Sequence, residues 1–362
     1  MAAGQEFTIK QISPTDRNSH TPAISETETI VFQMTPRDGE LGGDHELRVW
    51  GPHVHTPISA MFKVGVVPLS EVALDGDTVV WIASEDKRVE ETSWSLRRPS
   101  AQLPAVSDEA RRQRLAEKNT EVYAWTFFQG AQRYTLDPRA DEAANVKGSR
   151  IVWQKSAGEP FGREIMLLDG DTRLQLTTNL FQDVLPQLDN NHVVWHGYDG
   201  EDWDIFFYDI ARRKKSRMTS NNHNDLYPRI WEGQVVWEAR RGTGRSGIFY
   251  QRAPGRRPRV LAFGDHPHRR PRIHGRGAVW QAHDGNDFEI FFHDLSSAKA
   301  VQVTDNDYDD FSPEISGEIV TWMAYAGSGE ADIFVWSLST SEPLRLTDNE
   351  VVDQHPKIAG GS

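Results

Sequence analysis

The chain has 362 residues, no cysteine, 12 tryptophans and a formal net charge of −13. Disulfides and thiolate chemistry are therefore excluded. The start MAAGQEFTIKQ carries no apolar segment and nowhere do 18 apolar residues run together, so a soluble, cytoplasmic protein is expected, with export after removal of a signal peptide as the alternative.

Taken in order, residues 7–24 (FTIKQISPTDRNSHTPAI) match residues 344–358 (LRLTDNEVVDQHPKI), so similar strands are expected near both termini. Thr29–Phe32 is a β-branched and aromatic run, Asp38-Gly39 a turn pair, and Glu46–Val49 a further strand. Residues 51–70 are irregular and hold His53 and His55; Asp77–Trp81 then opens a clear strand. Residues 86–120 interrupt the pattern. Within them Ser107 can cap a helix running to Lys118, with Asp108 and Glu109 in its first turn, and a lid or docking element is the functional reading of that insertion. Strands resume at Val122–Phe128 and Arg133–Leu136.

From there one unit repeats. Its marker tryptophan recurs at Trp153, Trp195, Trp237, Trp280 and Trp322, spaced by 42, 42, 43 and 42 residues. A second run recurs as Glu164-Ile165-Met166, Asp204-Ile205-Phe206, Gly247-Ile248-Phe249, Glu289-Ile290-Phe291 and Asp332-Ile333-Phe334. A third ends in Thr177, Thr219, Thr304 and Thr347, and prolines 186, 228, 271, 313 and 356 mark a fourth. A period of this length with four short strands is that of a propeller blade, which cannot bury both faces alone and must stack on neighbours. The expected fold is an all-β β-propeller of four-stranded blades forming a single domain over 1–362, with seven blades and eight as the alternative, and one helical insertion (86–120) in blade two. The tryptophans are expected to fill the gaps between blades.

The pattern VVWxxxDGxDxEIFxxD…LTDN…DxxPxIS, clearest over Val279–Asp294 and Val303–Ser316, resembles the TolB-type (PD40, WD40-like) propeller repeat. That resemblance implies the propeller fold; such repeats serve in binding scaffolds, in peptidase gating domains and in some lyases. The peptidases carry a separate hydrolase domain for which this chain has no room, and no phosphate loop, GxSxG or HExxH motif is present. Oligogalacturonate lyases are similar in architecture and hold a metal at the propeller mouth largely through histidines. Their ligand motif is not matched residue by residue here, so no role is carried over. The propeller half of cylindrocyclophane-type alkylating enzymes is also similar, but its site needs another domain.

Two constellations could carry chemistry. Asp199, Asp202 and Asp204 recur as Asp284, Asp287 and Glu289; oxygen ligands at this spacing suit Ca²⁺, but DGxD is also a good turn, and the turn is the reading preferred here. The innermost strand of a propeller borders the channel, so the loop entering each proline strand should face a shared mouth. The pairs before the prolines vary from copy to copy (His20-Thr21, Val184-Leu185, Leu226-Tyr227, Arg269-Arg270, Phe311-Ser312, Gln354-His355), whereas the residue before them is usually Asp and reads as structural. His20, Tyr227, His268, Arg269, Arg270 and His355 are the expected ligand-binding residues at the mouth, and His20, His268 and His355 a candidate set for a divalent metal. The residue after each marker aromatic (Gln33, Ile82, Gln154, His196, Glu238, Gln281, Met323) reads as a blade face, not a site.

Charge is unevenly spread: residues 212–276 carry +13 and the remainder −26. A basic sector on an acidic ring suits an anion or an acidic partner; nucleic acid is a further candidate without any supporting motif. The expected function is a ligand- or protein-binding propeller presenting its mouth and basic sector to an anionic ligand or partner. The alternative is a lyase or biosynthetic transferase using the His/Arg mouth.

Overall fold

The computed structural model describes residues 18–25, 30–35, 46–50, 72–76, 78–83, 120–126, 130–136, 139–158, 162–242, 244–252, 254–326, 331–340, 342–348 and 352–360. Residues 7–17, His53, His55 and all of the 86–120 insertion but Thr120, with the helix expected at 107–118, lie outside the described residues.

Among the described residues, twenty-seven strands form seven antiparallel sheets. The first has three strands, β1 (Asn18–Ile24), β2 (Ile30–Thr35) and β3 (Glu46–Trp50). The other six have four each. Blade two is β4 (Ala73–Asp75), β5 (Thr78–Ala83), β6 (Glu121–Thr126) and β7 (Gly130–Arg133). Blade three is β8 (Asp141–Lys147), β9 (Arg150–Ser156), β10 (Arg163–Asp169) and β11 (Thr172–Gln175). Blade four is β12 (Asp183–Leu188), β13 (His192–Tyr198), β14 (Trp203–Asp209) and β15 (Lys214–Arg217). Blade five is β16 (Asn224–Trp231), β17 (Gln234–Arg241), β18 (Arg245–Arg252) and β19 (Arg259–Gly264). Blade six is β20 (His268–His274), β21 (Gly277–His283), β22 (Phe288–Asp294) and β23 (Lys299–Gln302). Blade seven is β24 (Asp310–Ser316), β25 (Ile319–Ala324), β26 (Asp332–Ser337) and β27 (Leu344–Arg345). This is a seven-bladed β-propeller; no helix occurs among the described residues.

The marker tryptophans sit on the second strands and are 0–1% exposed. Each packs between blades: Trp195, for example, clusters with Val152, Ile165 and Leu167 of the preceding blade, and Trp322 with Val279, Ile290 and Phe292. Across the strand pair, Trp195 stacks on Phe206 at 5.8 Å, Trp237 on Phe249 at 6.0 Å, Trp280 on Phe291 at 5.9 Å and Trp322 on Phe334 at 5.9 Å. Replacing one such ring by alanine costs about 3–5 kcal/mol, so these five contribute heavily to the cohesion of the ring of blades.

The indole N–H needs a partner once buried. It finds one in the aspartate that opens the inner strand: Trp153 to Asp141 (2.8 Å), Trp195 to Asp183 (2.7 Å), Trp237 to Asp225 (2.8 Å) and Trp322 to Asp310 (2.6 Å). The other carboxylate oxygen accepts from the asparagine two residues past the repeat threonine: Asn179, Asn221 and Asn306 reach Asp183, Asp225 and Asp310 at 2.5–2.7 Å. The recurring aspartate is structural as the sequence suggests, through these side-chain bonds.

Candidate functional site: the upper mouth of the channel

The inner strands β8, β12, β16, β20 and β24 each carry a bulge, a break in register just before or at the proline position. The pre-proline residue sits there at positive φ: Leu185 (52°), Tyr227 (53°), Arg270 (53°), Ser312 (53°) and His355 (57°), with Ala143 (50°) at the equivalent place in blade three. For a non-glycine residue this conformation costs roughly 1–2 kcal/mol. Glycine would avoid the cost, yet five different side chains occupy the slot before a proline, so the strand keeps a projecting group at each step round the mouth.

The side chain after three of the marker tryptophans helps to hold the bulge of the next blade. Gln154 Oε1 accepts from Leu185 N (2.7 Å) and Gln281 Oε1 from Ser312 N (2.9 Å), each across a blade boundary; Glu238 accepts a backbone bond from Arg270 in the same way. The slot read from sequence as a blade face is therefore an inter-blade clasp. In blade four it is His196, 4% exposed, whose pKa burial and the nearby Arg229 push down to about 3, so it stays neutral.

Around the mouth, on the face where the inner strands begin, runs a row of rings and guanidinium groups. Phe181 meets Tyr198 (5.9 Å), Tyr198 meets Trp203 (5.6 Å), Trp203 meets His196 (5.1 Å), and His196 meets Tyr227 (5.5 Å). Arg240 lies 5.7 Å over Tyr227, Arg269 lies 6.0 Å over Phe288, and Phe288 continues through Phe311 (5.7 Å) to Tyr325 (6.0 Å). Phe181, Tyr227 and Tyr325 are 38–42% exposed. Arg240 is neutralised by Glu238 at 2.5 Å. Burial raises the Glu238 pKa while Arg240 and Arg269 pull it back down. Arg269 and Arg270 are exposed and make no ion pair with a carboxylate among the described residues; Arg270 Nη1 donates to Ser312 Oγ at 2.6 Å.

Of the residues singled out from sequence, Tyr227 and Arg270 occupy equivalent bulge positions, with Arg269 next to Arg270, and His355 shares their positive φ in the strandless segment 352–360. His268 instead takes the aspartate slot of blade six: it faces Ser246, whose Oγ accepts from His268 N at 2.7 Å, and burial with His266 lowers its pKa. Trp280 Nε1 accordingly lacks the acceptor its counterparts have. His20 is on β1 opposite Gln33, but its side chain lies outside the described residues. Among the described residues, the groups of three metal-ligating side chains close enough to share an ion are Asp199/Asp202/Asp204 and Asp284/Asp287/Glu289, neither including a histidine. Sequence reasoning missed Phe181, Trp203, Phe288, Phe311 and Tyr325. For Trp203 and Phe288 the signal was an aromatic just past a DG turn, and for Phe181 and Phe311 one within two residues of an inner-strand aspartate, which reads equally well as core; Tyr325 had no such signal.

The channel widens at the opposite face into a cavity of 780 Å³ lined from all seven blades, including Asp75, Asp189, His192, Trp231, His274 and Glu314. Most of its polar groups tie one blade to the next. Asp75 accepts from Gly148 N (2.6 Å), Asp189 from Gly233 N (2.7 Å) and His274 Nδ1 from Gly317 N (2.8 Å). Deeper in the wall the post-proline residues join across blades: Asn145 to Gln187 (3.1 Å), and Arg272 and Lys357 to Glu314 (2.9 Å each). Glu314 resists desolvation because these two cations hold its pKa down to about 2. Through Lys357 and a bond from Asp353 N to Ala331 O (2.7 Å), residues 352–360 lie along blade seven in the place of a following inner strand.

No family model and no curated protein matches the chain. Among solved structures it is similar to the β-propeller domain of the Trilobed protease from Pyrococcus furiosus, described as having an open velcro topology (8% identity, TM-score 0.58, 93% of this chain and 99% of that one). It is also similar to prolyl endopeptidases (10%, 0.61, 91% and 49%) and to a Mycobacterium tuberculosis puromycin-hydrolyzing peptidase (10%, 0.59, 94% and 55%). The chain thus spans about half the length of these whole peptidases. At such identities the likeness establishes the fold alone: the protein is a seven-bladed β-propeller.

Proposed function

We propose that the protein is a binding propeller whose upper mouth takes a carboxylate-bearing ligand, as an acidic segment of a partner protein or a small organic anion. The observation carrying this reading is the Arg269–Arg270 pair, exposed at the mouth, with no ion pair to a carboxylate among the described residues (the nearby Glu238 being engaged by Arg240) and with Arg269 over the Phe288 ring. Two other cations near the mouth are matched internally, Arg240 by Glu238 and Arg217 by Asp199 (2.7 Å). Guanidinium forks bind carboxylates bidentately, and an adjacent aromatic face adds contact area at low entropic cost. The variable bulge side chains would select the ligand, and the inter-blade clasps would hold them in place. The resemblance to TolB-type repeats supports a scaffold role, since such repeats serve in binding. The similar solved propellers belong to peptidases.

The test is anisotropy of a fluorescent hexaglutamate peptide against the protein and its Arg269→Ala/Arg270→Ala variant, with circular dichroism confirming the fold. At least tenfold weaker binding by the variant is expected, and equal binding by both proteins would refute the reading. A single-stranded oligonucleotide of equal charge is the comparison. If it bound more tightly, with a steeper salt dependence, the site would be one for nucleic acid instead.

A further inference from the structure

The β13–β14 and β21–β22 hairpins are chemical copies, and their difference is informative. In both, an aspartate at the turn accepts backbone N–H groups with one oxygen: Asp199 Oδ1 from Glu201 (2.9 Å) and Asp202 (3.1 Å), Asp284 Oδ1 from Asn286 (2.8 Å) and Asp287 (3.3 Å). In both, a second and a third carboxylate follow, and the three side chains offer ligand atoms within 4.8 Å of one another. Three carboxylates at that separation repel one another, and something must compensate.

In blade four an arginine does so. Arg217, on the outer strand β15, bridges Asp199 (2.7 Å) and the fully buried Asp204. The same register holds Arg345 against Asp332 (2.5 Å) in blade seven and Arg133 against Glu121 (2.9 Å) in blade two. In blade six that register is Gln302, paired opposite Phe291 as Arg217 is opposite Phe206. Among the described residues, Asp284, Asp287 and Glu289 then have no ion pair at all. Asp287 is 8% and Glu289 0% exposed, yet Asp287 Oδ1 and Glu289 Oε2 have no hydrogen-bond partner. Asp309 adds a further carboxylate, accepting from Phe288 N at 2.9 Å. Blade three also has glutamine in this register, Gln175 behind Glu164, but its hairpin brings no aspartates and Lys215 lies near enough to act on Glu164. Among the described residues, only blade six combines the carboxylate cluster with the missing cation.

We propose that the β21–β22 hairpin is a Ca²⁺ site in which Asp284, Asp287 and Glu289 hold the ion, in the place that Arg217 fills in blade four. Hard carboxylate oxygens, part of them buried and part open to solvent for completing waters, suit Ca²⁺ rather than a transition metal. The ion would fasten the upper rim of blade six, where Phe288 follows Asp287 and supports Arg269 at the mouth. This site does not depend on what the mouth binds.

The experiment titrates chelator-washed protein with CaCl₂ by calorimetry and compares thermal unfolding in Ca²⁺ and in chelator, for wild type, Gln302→Arg and Asp284→Asn. The wild type is expected to bind one Ca²⁺ and to melt at higher temperature with it. Gln302→Arg supplies the cation internally, so it should bind at least tenfold more weakly while melting in chelator no lower than the wild type. Asp284→Asn, at an exposed position, should weaken binding without loss of fold. No heat and no melting shift in the wild type at about 10 mM Ca²⁺, well above the 10⁻⁴–10⁻³ M range of weak calcium modules, would overturn the proposal. Undiminished binding by Gln302→Arg would overturn it too.

Discussion

Asp225→Ala tests whether the aspartate–indole bond holds the blades as their shared geometry implies. Asp225 is 2% exposed and accepts from Trp237 Nε1 (2.8 Å) and Asn221 Nδ2 (2.7 Å). Asn221 is exposed and can turn to water, but Trp237 is 1% exposed and cannot. The expected loss is therefore the cost of one stranded buried donor, about 1–3 kcal/mol. A term of opposite sign reduces it at neutral pH. Burial raises the Asp225 pKa against the pull of its hydrogen bonds, so its protonation-linked stability is present below the unfolded-state pKa and is lost as pH rises through the folded one. Removal should thus cost more near pH 4 than near pH 7. Asp225→Asn keeps an acceptor and drops the charge, and should be close to neutral at pH 7. Urea unfolding followed by tryptophan fluorescence reads both variants. A midpoint for Asp225→Ala unchanged at both pH values would refute the reasoning. The converse lies in blade six, where His268→Asp should supply the acceptor that Trp280 Nε1 lacks and raise the urea midpoint.

Two further outcomes are expected. Glu314→Gln removes the carboxylate shared by Arg272 and Lys357, leaving two cations facing each other in the channel wall. It should lower stability at pH 7 by about 1–3 kcal/mol and speed proteolysis of residues 352–360. Because the Glu314 pKa is depressed to about 2, the gap between wild type and variant should persist above the unfolded pKa and close as pH falls towards 2; a gap constant down to pH 2 would contradict this. Gln281→Ala strands Ser312 N at a positive-φ bulge, so hydrogen exchange at Ser312 should accelerate at least tenfold with the Trp280–Phe291 core still protected; unchanged exchange at Ser312 would show that the clasp does not hold the bulge.

How much of this was legible beforehand follows from what repeats. Any contact made once per blade leaves a mark every 42 or 43 residues, so the marker tryptophans, the aspartates, the threonine–asparagine pairs and the prolines could all be read from the chain, and the propeller with them. Even the identity of the innermost strand followed, since the residues that vary lie beside the residues that do not. Yet repetition cannot say what a variable residue meets. Gln154 and Gln281 looked like blade-face residues because their bond partners, Leu185 N and Ser312 N, are 31 residues away and belong to the next blade. His268 aligns with the aspartate slot already in sequence, but only the structure shows what that slot holds in blade six, Ser246 against the His268 backbone and Trp280 Nε1 without an acceptor. Only the pairing of strands within blade six brings Arg269 over Phe288 and sets Gln302 behind Glu289.

The sequence by itself determined the blade, its period and its inter-blade tryptophans, because each is a local pattern under the same packing demand in every copy. The tertiary structure decided which charges are matched and which are left over. Neutralisation acts between strands and between blades, across distances through space that the order of residues along the chain does not encode.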